Sequence, residues 1–308
     1  MTLKRYELQG EHFRTTLQDS SGCWIDVSRA TKQELEQLHT RYGVPQQFLS
    51  YALDPNEKPR VQEAGDYTLY VLQASHAKEG STPFDTVPLA IIHSPQSIIT
   101  VCEHLHTVLL DLKTGRLRDT STEKPLAFIL HILLRVAQRY VRDVQHISGK
   151  VEELEERLEQ STHNHELLTL MRLQKSLVYF KTALKANARL LTMLKRREEK
   201  LNDQEKDLLE EISVESEQAQ DMVEIELSVL GNIMSAFGSV VSNNVNTVVR
   251  LLTVVTVLLA IPTWMTGLFG MNLTVPGQHQ PWMFAVVVLL NITAVVLLWW
   301  TLRRRKWL

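Results

Sequence analysis

The longest uncharged stretch of the chain is its strongest constraint, because it decides which solvent the carboxyl-terminal quarter can occupy. From Leu251 to Leu302, 52 residues contain no Asp, Glu, Lys or Arg. A helix needs about 17–25 mostly apolar residues to cross the hydrocarbon core of a bilayer. The stretch offers two such segments, 251–269 and 281–302, joined by a loop at 270–280. The sequence therefore predicts a membrane protein with two transmembrane helices.

Basic residues predict the orientation of the two segments. Arg250 precedes the first segment, and the tail 303–308 opens with four basic residues: Arg303, Arg304, Arg305 and Lys306. Because basic residues that flank spans stay cytoplasmic, we expect both termini inside the cell and the loop outside. The expected location is the cell (inner) membrane, with two passes through the lipid bilayer. The first residues lack the apolar segment of a cleavable signal peptide.

Composition argues against several functions. The net charge of −2 lacks the basic excess of most nucleic-acid-binding proteins, so no nucleic-acid partner is expected. The sequence contains no Gly-rich phosphate loop, nucleophile elbow or H-E-x-x-H helix, so we expect no enzyme. The two cysteines, Cys23 and Cys102, are expected to be buried, reduced thiols in a cytoplasmic body.

The expected fold class is an α/β cytoplasmic amino-terminal domain, long helices after it, and two carboxyl-terminal transmembrane helices. Residues 1–120 should form the α/β domain. Its predicted strands are Thr68–Leu72, Leu89–His93 and Ser97–Cys102, the last two joined by a hairpin turn. Thr31 to about Tyr42 should form a helix in which Thr31 and Glu34 make a capping box. A second helix is predicted over Pro45–Leu53.

Two histidine patterns need an interpretation. Cys102, His104 and His106 alternate, as ligands on one strand face would, but three at this spacing without a clear fourth are a weak zinc signal. We interpret them as a strand end with incidental histidines, and His163 and His165 as part of a polar turn.

The middle of the chain is predicted to be helical. Residues 121–202 should form an antiparallel hairpin of helices from Pro125 to about Glu159 and from Glu166 to Lys200. A stalk helix, 203–250, should begin after an Asn202-Asp203 cap and continue into the membrane for about 60 residues. A helix of about 90 Å needs partners, and oligomerisation around a shared axis is their simplest source.

One face of this helix carries a regular stripe of small or polar residues. Successive steps of three and four residues select a seam that is polar or small at six of seven positions: Asn246, Val249, Thr253, Thr256, Ala260, Thr263 and Gly267. Small and hydroxylated residues also serve ordinary helix packing in membranes. Continuation of the seam from a stalk toward Asn272 favours a pore axis instead, but periodicity alone leaves both explanations open.

At this point the chain resembles the CorA family of divalent-cation transporters over nearly its whole length. The sequence Gly270-Met271-Asn272 after the first of two terminal spans matches the family's signature motif. Other stretches also resemble family features: Lys175 to Phe180, Ser242 to Asn246, Leu252 to Val254 and Lys306 to Leu308.

The resemblance implies a homopentamer in which each subunit gives one pore-lining helix. Gly270, Met271 and Asn272 would form the outer selectivity filter, and Asn246 a second polar ring. Val249 and Leu252 match the positions of the family's hydrophobic gate. The implied pore-lining set is therefore the seam together with Leu252, and the implied cargo is Mg2+, with Co2+, Ni2+ or Zn2+ as further candidates.

The chain departs from the family at several positions. The external loop after Asn272 lacks the acidic residue common there, and Ser235 stands where many relatives carry aspartate. Pro262 sits one position later than the usual proline, while Val249 and Ala260 replace frequent methionines. These differences leave the expected fold unchanged and allow a looser gate or an altered ion preference.

Regulation is a further implication of the resemblance. Ten acids and one lysine lie between Asp203 and Glu226, and most are expected to form a solvated surface. Glu211, with Glu210 and Glu215 nearby, matches a family position where cytoplasmic Mg2+ holds the closed state. Two alternatives stay open: a zinc transporter of the same fold, and a membrane-anchored cation sensor that does not conduct.

Overall fold

The computed structural model of the chain divides into two compact units, residues 1–232 and 233–308, here called the amino-terminal unit and the membrane unit. The structure describes residues 3–9, 12–16, 22–55, 57–78, 83–104, 107–113, 124–160, 164–196, 199, 201–271 and 280–305.

A seven-stranded mixed sheet forms the centre of the amino-terminal unit. Its strands are β1 (Leu3–Gln9), β2 (His12–Thr15), β3 (Cys23–Ser28), β4 (Arg60–Ala64), β5 (Tyr67–Ala77), β6 (Phe84–His93) and β7 (Ser97–Cys102), in the order β2-β1-β3-β7-β6-β5-β4. Only β3 and β7 pair in parallel. The predicted hairpin between β6 and β7 is confirmed, and Ser94 closes it by donating from its backbone N–H to the Ser97 carbonyl.

Two short helices cover one face of the sheet: α1 (Lys32–Tyr42) and α2 (Gln46–Ala52). The capping box is confirmed, since the Glu34 amide donates to Thr31 Oγ1 and Glu34 Oε2 accepts from the Thr31 amide. Gly43 ends α1 with φ of 65°, and a Cβ there would lie 2.6 Å from the Tyr67 hydroxyl oxygen. The backbone conformation therefore favours glycine at this turn, and a larger residue would also displace the Tyr67 side chain.

The opposite face packs on α3 (Thr107–Lys113), α4 (Pro125–Gln160) and α5 (Asn164–Lys195). The predicted helical hairpin is confirmed, although α5 begins two residues earlier than expected. Trp24 of β3 is fully buried, and its ring lies 5.3 Å from that of Phe13 and 5.6 Å from that of Phe128. Tyr140 of α4 and Phe180 of α5 make an edge-to-face contact at 5.0 Å.

Side chains of α5 take the place of missing strand partners. The Asn187 side chain accepts from the Gln73 amide at 2.9 Å and donates to the Gln73 carbonyl at 2.7 Å. Ser176 Oγ similarly accepts from the Phe84 amide and donates to the Phe84 carbonyl. Both contacts help to satisfy buried backbone groups, and the Gln73 carbonyl also accepts from the Tyr140 hydroxyl at 3.1 Å.

The longest element is α6 (Asp203–Phe269), followed in sequence by α7 (Trp282–Arg304). The predicted cap of α6 is confirmed: Asn202 Oδ1 accepts from the Glu205 amide, and Glu205 Oε2 accepts from the Asn202 amide. Within the amino-terminal unit, α6 buries a stripe that includes Leu209, Ile212, Val223 and Leu230. In the membrane unit, α6 and α7 are both long and apolar enough to span a bilayer.

Candidate functional site along the polar face of α6

The predicted seam occupies one exposed side of α6. At 100° per residue its seven positions fall within a sector of about 100°, and all seven are exposed in the single chain. The covered residues of this segment are centred about 155° away around the helix; they are Val254, Leu258, Ile261, Pro262 and Met265. The seam is therefore available for contact with other subunits or with solvent.

Hydrogen bonds inside α6 decide which polar atoms the seam presents. The hydroxyls of Thr253, Thr256 and Thr263 donate at 2.8 Å to the carbonyls of Val249, Leu252 and Leu259, respectively. A threonine hydroxyl has one proton and two acceptor lone pairs. Because each proton is directed into the helix, each oxygen remains an acceptor, which is the chemistry that suits a cation or the protons of its bound water.

At the amino-terminal end of the seam, apolar side chains lie between the polar ones. Val249 is 55% exposed and Leu252 is 65% exposed. Asn246 precedes them and is also exposed, as are Ala260 and Gly267 toward the far end. An apolar ring flanked by polar rings can close a water-filled path by dewetting.

The Gly-Met-Asn motif begins where α6 ends. The Gly270 amide donates to the Thr266 carbonyl at 2.9 Å, and a Cβ at Gly270 would lie 3.2 Å from that oxygen. This close approach favours glycine at the first motif position. Met271 follows with 53% of its surface exposed, while Asn272 lies outside the described residues.

The predicted regulatory acids lie upstream on the same helix. Glu210 and Glu211 are exposed and Glu215 is half-buried. Counting back from Asn246 in steps of four and three reaches Glu211 through positions that are all exposed: Ser242, Ser239, Ser235, Asn232, Ser228, Ile225, Asp221, Gln218 and Val214. Among the described residues, no group of three potential metal ligands converges within one chain. A metal held by these acids would need ligands from a second subunit or from water.

The histidine patterns make no metal centre within the part of the chain that the structure describes. Cys102 is buried at the end of β7, while the His104 ring stacks on that of His76, with centroids 4.9 Å apart and planes 12° apart. Burial, and next the charge of His104, lower the pKa of His76. His165 lies exposed in the first turn of α5, whereas His106 and His163 lie outside the described residues.

The basic tail begins at the end of α7. Arg303, Arg304 and Arg305 are exposed, and the first two stack on tryptophan rings one turn earlier. Lys306 lies outside the described residues. The expectation for the two thiols is confirmed as far as burial goes, since Cys23 and Cys102 are both buried and neither forms a disulfide.

Asn291 is a polar residue of the membrane unit that sequence reasoning did not single out. It lies in the interior of α7, where its Nδ2 donates to the Val287 carbonyl at 3.1 Å. Its Oδ1 is buried without a hydrogen-bond partner in the described part of the chain. The sequence signal was an amide side chain inside an apolar span, since polar groups at that depth are expensive.

Comparison with known proteins identifies the relatives of the chain. Residues 19–304 match the model of a family described as CorA-like Mg2+ transporter protein. The cobalt/magnesium transport protein CorA of Methanocaldococcus jannaschii is 29% identical over 304 residues, which are 95% of this chain and 93% of that protein. The solved complete structure of the CorA magnesium transporter from the same organism gives a TM-score of 0.86 at 25% identity, covering 100% of this chain and 99% of that one.

More distant relatives carry other cations in their names. The zinc transport protein ZntB of Yersinia pseudotuberculosis is 20% identical over 93% of this chain and 88% of its own length. The divalent cation transporter CmaX of Pseudomonas aeruginosa is 23% identical over 92% of this chain and 87% of its own. Each of these transporters matches this chain over nearly its whole length, while the cation in their names differs.

Proposed function

The chain belongs to the CorA-like Mg2+ transporter family, and on that premise we propose that it forms a homopentameric channel through which Mg2+ enters the cell. Family membership makes it a divalent-cation transporter in a membrane. The choice of Mg2+, the pentamer and the inward direction are the proposal. Co2+ and Ni2+ are further cargoes that the same path would accept.

The observation that carries the proposal is the exposed row of threonine oxygens leading to the Gly-Met-Asn motif. Five copies of Thr253, Thr256 and Thr263 around an axis would surround it with acceptor oxygens. Mg2+ dehydrates reluctantly and usually keeps several waters. The protons of those waters point outward, so a wall of acceptors supports passage of the hydrated ion.

Selection and closure are assigned to the two ends of the seam. Gly270, Met271 and Asn272 would form the outer filter, in which amide and carbonyl oxygens hold the ion through its water shell. At the opposite end, rings of Val249 and Leu252 would exclude water when the pore narrows. Asn246 would hold the hydrated ion on the far side of that gate.

The proposed orientation supplies the driving force. With both termini and the basic tail, Arg303 to Lys306, in the cytoplasm, the filter faces the outside of the inner membrane. A divalent ion moving inward then gains about 4.6 kcal/mol per 100 mV of membrane potential. Inward flow therefore needs no other energy source while that potential is maintained.

Cytoplasmic Mg2+ is proposed to close the channel through Glu210, Glu211 and Glu215. These acids lie on α6 without a complete ligand set among the described residues of one chain. A bridging ion between subunits would stabilise the one arrangement in which the acids approach each other. A ligand that prefers one state shifts the population toward it, so influx would limit itself.

The test is ion flux into liposomes that contain the purified protein, read with Mg2+-sensitive and Zn2+-sensitive dyes under an inside-negative potential. We expect Mg2+ entry that Asn272→Ala abolishes. Thr263→Val should lower the flux several-fold, whereas Thr266→Val should leave it close to wild type. Thr266 is a matched control because its hydroxyl also donates within α6, but its position lies about 110° from the centre of the seam.

Two outcomes would replace this function. Zn2+ flux without Mg2+ flux would assign the chain to zinc transport, the second candidate, which the ZntB relatives support. A pentamer that passes neither ion would leave a membrane-anchored cation sensor. Equal loss of flux from Thr263→Val and Thr266→Val would remove the seam as the path.

A further inference from the structure

The carboxyl end of α7 carries two arginines that stack on tryptophans of the preceding turn. Arg303 Cζ lies 5.2 Å from the centroid of the Trp299 ring, and Arg304 Cζ lies 3.8 Å from that of Trp300. Both tryptophans are exposed, at 42% and 45%, as are both arginines. Two neighbouring Trp–Arg pairs therefore form one exposed aromatic and cationic surface.

This surface faces away from the covered side of the helix. The half-buried stripe of α7 consists of Met283, Val287, Asn291, Ala294, Val295, Leu298 and Leu302. At 100° per residue the two Trp–Arg pairs are centred about 170° from that stripe. Arg303 and Arg304 thus point toward the bilayer surroundings. Arg305 is exposed as well, but it follows the last residue of α7 and stacks on no ring among the described residues.

The membrane unit contains no acidic side chain that could serve as a counter-ion for these arginines. After Glu226 the sequence contains no Asp or Glu, so the membrane unit is entirely basic in its charged residues. Stacking uses the face of a guanidinium and leaves its edge N–H donors available. In the part of the chain that the structure describes, those donors of Arg303 and Arg304 have no hydrogen-bond or ion-pair partner.

The depth of the surface matches the headgroup layer. Trp282 and Trp300 are separated by about 27 Å along α7 at 1.5 Å per residue, close to the roughly 30 Å thickness of the hydrocarbon core. Tryptophans concentrate at both membrane–water interfaces. Arg303 and Arg304, one turn beyond the second interface, then lie at the level of lipid phosphates.

We propose that the Trp299–Arg303 and Trp300–Arg304 pairs bind the headgroup of an anionic phospholipid in the leaflet at the carboxyl end of α7. The guanidinium edge matches a phosphate in bidentate geometry, and the indole beneath it holds the side chain in place. The net negative charge of the lipid supplies the counter-ion that the unit lacks. A zwitterionic lipid offers the same phosphate together with a cationic group, so it should bind more weakly.

The experiment is native mass spectrometry of the full-length protein in detergent, titrated separately with phosphatidylglycerol and phosphatidylcholine. We expect phosphatidylglycerol adducts to form at lower lipid concentration. Arg303→Gln and Arg304→Gln should each weaken them about fivefold, the share of one surface arginine. Arg305→Gln removes the same charge from an exposed arginine that stacks on no ring among the described residues, and it should weaken them less than twofold. The same spectra report the oligomeric mass, so a variant that fails to assemble is recognised.

A double Trp299→Leu and Trp300→Leu variant separates stacking from charge. It retains every arginine, and we expect it to lower the preference for phosphatidylglycerol two- to threefold. Equal losses from all three arginine variants would mean diffuse attraction without a site and would overturn the proposal. Equal binding of the two lipids would overturn it as well. If inorganic phosphate at matched concentration displaced the lipid, the ligand would be a free anion instead.

Discussion

The two units of the chain handle apolar surface in opposite ways. The amino-terminal unit buries large side chains completely, including Trp24, Phe48 and Phe180. In the described part of the membrane unit Val254 alone is buried, while Trp264, Leu252 and many other apolar residues are exposed. One unit obtains its stability from its own core, whereas the other exposes an apolar surface that a lipid bilayer would cover.

The largest expected effect on stability comes from removing a buried tryptophan of the amino-terminal unit, with an exposed tryptophan of the membrane unit as the control. Trp24→Ala should lower the free energy of unfolding of the sheet by about 3–5 kcal/mol, because it empties a fully buried site. Trp264→Ala, at a residue 67% exposed, should leave the sheet unaffected. Hydrogen exchange of the β3 and β7 amides, measured by mass spectrometry on the full chain, checks both. Equal effects of the two substitutions on hydrogen exchange would contradict the conclusion that the two units are stabilised independently.

A buried ion pair gives the next effect within the amino-terminal unit. Lys113 Nζ contacts Asp26 Oδ2, and the Asp26 side chain is 2% exposed. Lys113→Met should lower the free energy of unfolding by about 3 kcal/mol, because it leaves a buried carboxylate with only hydroxyl partners, Ser28 and Thr100. The readout is the midpoint of thermal unfolding followed by circular dichroism.

The exposed pair between Lys181 and Glu224 is the matched control for Lys113. Lys181→Met removes an ammonium of the same kind at the surface, where solvent screens the pair, and should leave the midpoint nearly unchanged. Adding Asp26→Asn to Lys113→Met should recover part of the loss. No recovery would mean that Lys113 acts through packing rather than through charge.

Local patterns predicted the elements whose signals lie within a few residues. The Thr31 capping box, the Asn202 cap and the β6–β7 hairpin are set by neighbours in sequence, and all three were found. The strands β1 to β4 were not predicted. Distance does not explain all of them, because β1 with β2 and β4 with β5 form local hairpins, whereas β3 pairs with a distant strand. The parallel alignment of β3 with β7 joins residues more than seventy positions apart, such as Asp26 and Thr100.

The candidate site was foreseen in part for the same reason. The 3–4 stepping of Asn246 to Gly267 is visible in the sequence, and so is the motif at Gly270. The direction of the threonine hydroxyls and the stacking of Arg304 on Trp300 depend on side-chain geometry, which composition does not encode. Asn291 was not predicted, because the polar seam and the motif both point to α6 and Asn291 lies on α7.

The membrane unit offers its own test of the comparison. Val254 is 2% exposed and Val255 is 45% exposed, so the same change to alanine probes a covered and an uncovered site on one helix. Val254→Ala should destabilise the unit by about 1–2 kcal/mol through the loss of packed methyl groups. Val255→Ala should be nearly neutral, because lipid would contact the side chain at this exposed position whether it is valine or alanine.

The measurement for the valine pair is the thermal stability of the detergent-purified protein, read by size exclusion after heating. A larger loss for Val254→Ala is expected. If Val255→Ala proved equally damaging, its surface would be covered by a neighbouring subunit, and the uncovered side of α6 would be smaller than one chain indicates.

The smallest expected effect concerns a carboxyl buried against α4. Burial, and next the nearby Glu152 charge, raise the pKa of Glu226, although a hydrogen bond with Ser148 opposes them. The folded state therefore holds this proton more tightly than the unfolded chain. The stability that this provides is complete below the ordinary glutamate pKa and is lost as the pH rises through the raised value. Glu226→Gln should raise the midpoint of thermal unfolding by about 1–2 °C at pH 7, with no gain at pH 4.

Glu224, two residues earlier on α6, should respond with the opposite sign. The hydrogen bond and charge of Lys181 lower the pKa of Glu224, so its contribution is present above the ordinary glutamate pKa and disappears as the pH falls through the lowered value. Glu224→Gln should slightly lower the midpoint at pH 7. Because Glu224 is exposed, added salt should remove its effect while leaving that of Glu226. If both variants shifted the midpoint of thermal unfolding in the same direction, the pH response would come from net charge. It would then not depend on the burial of Glu226 or the exposure of Glu224.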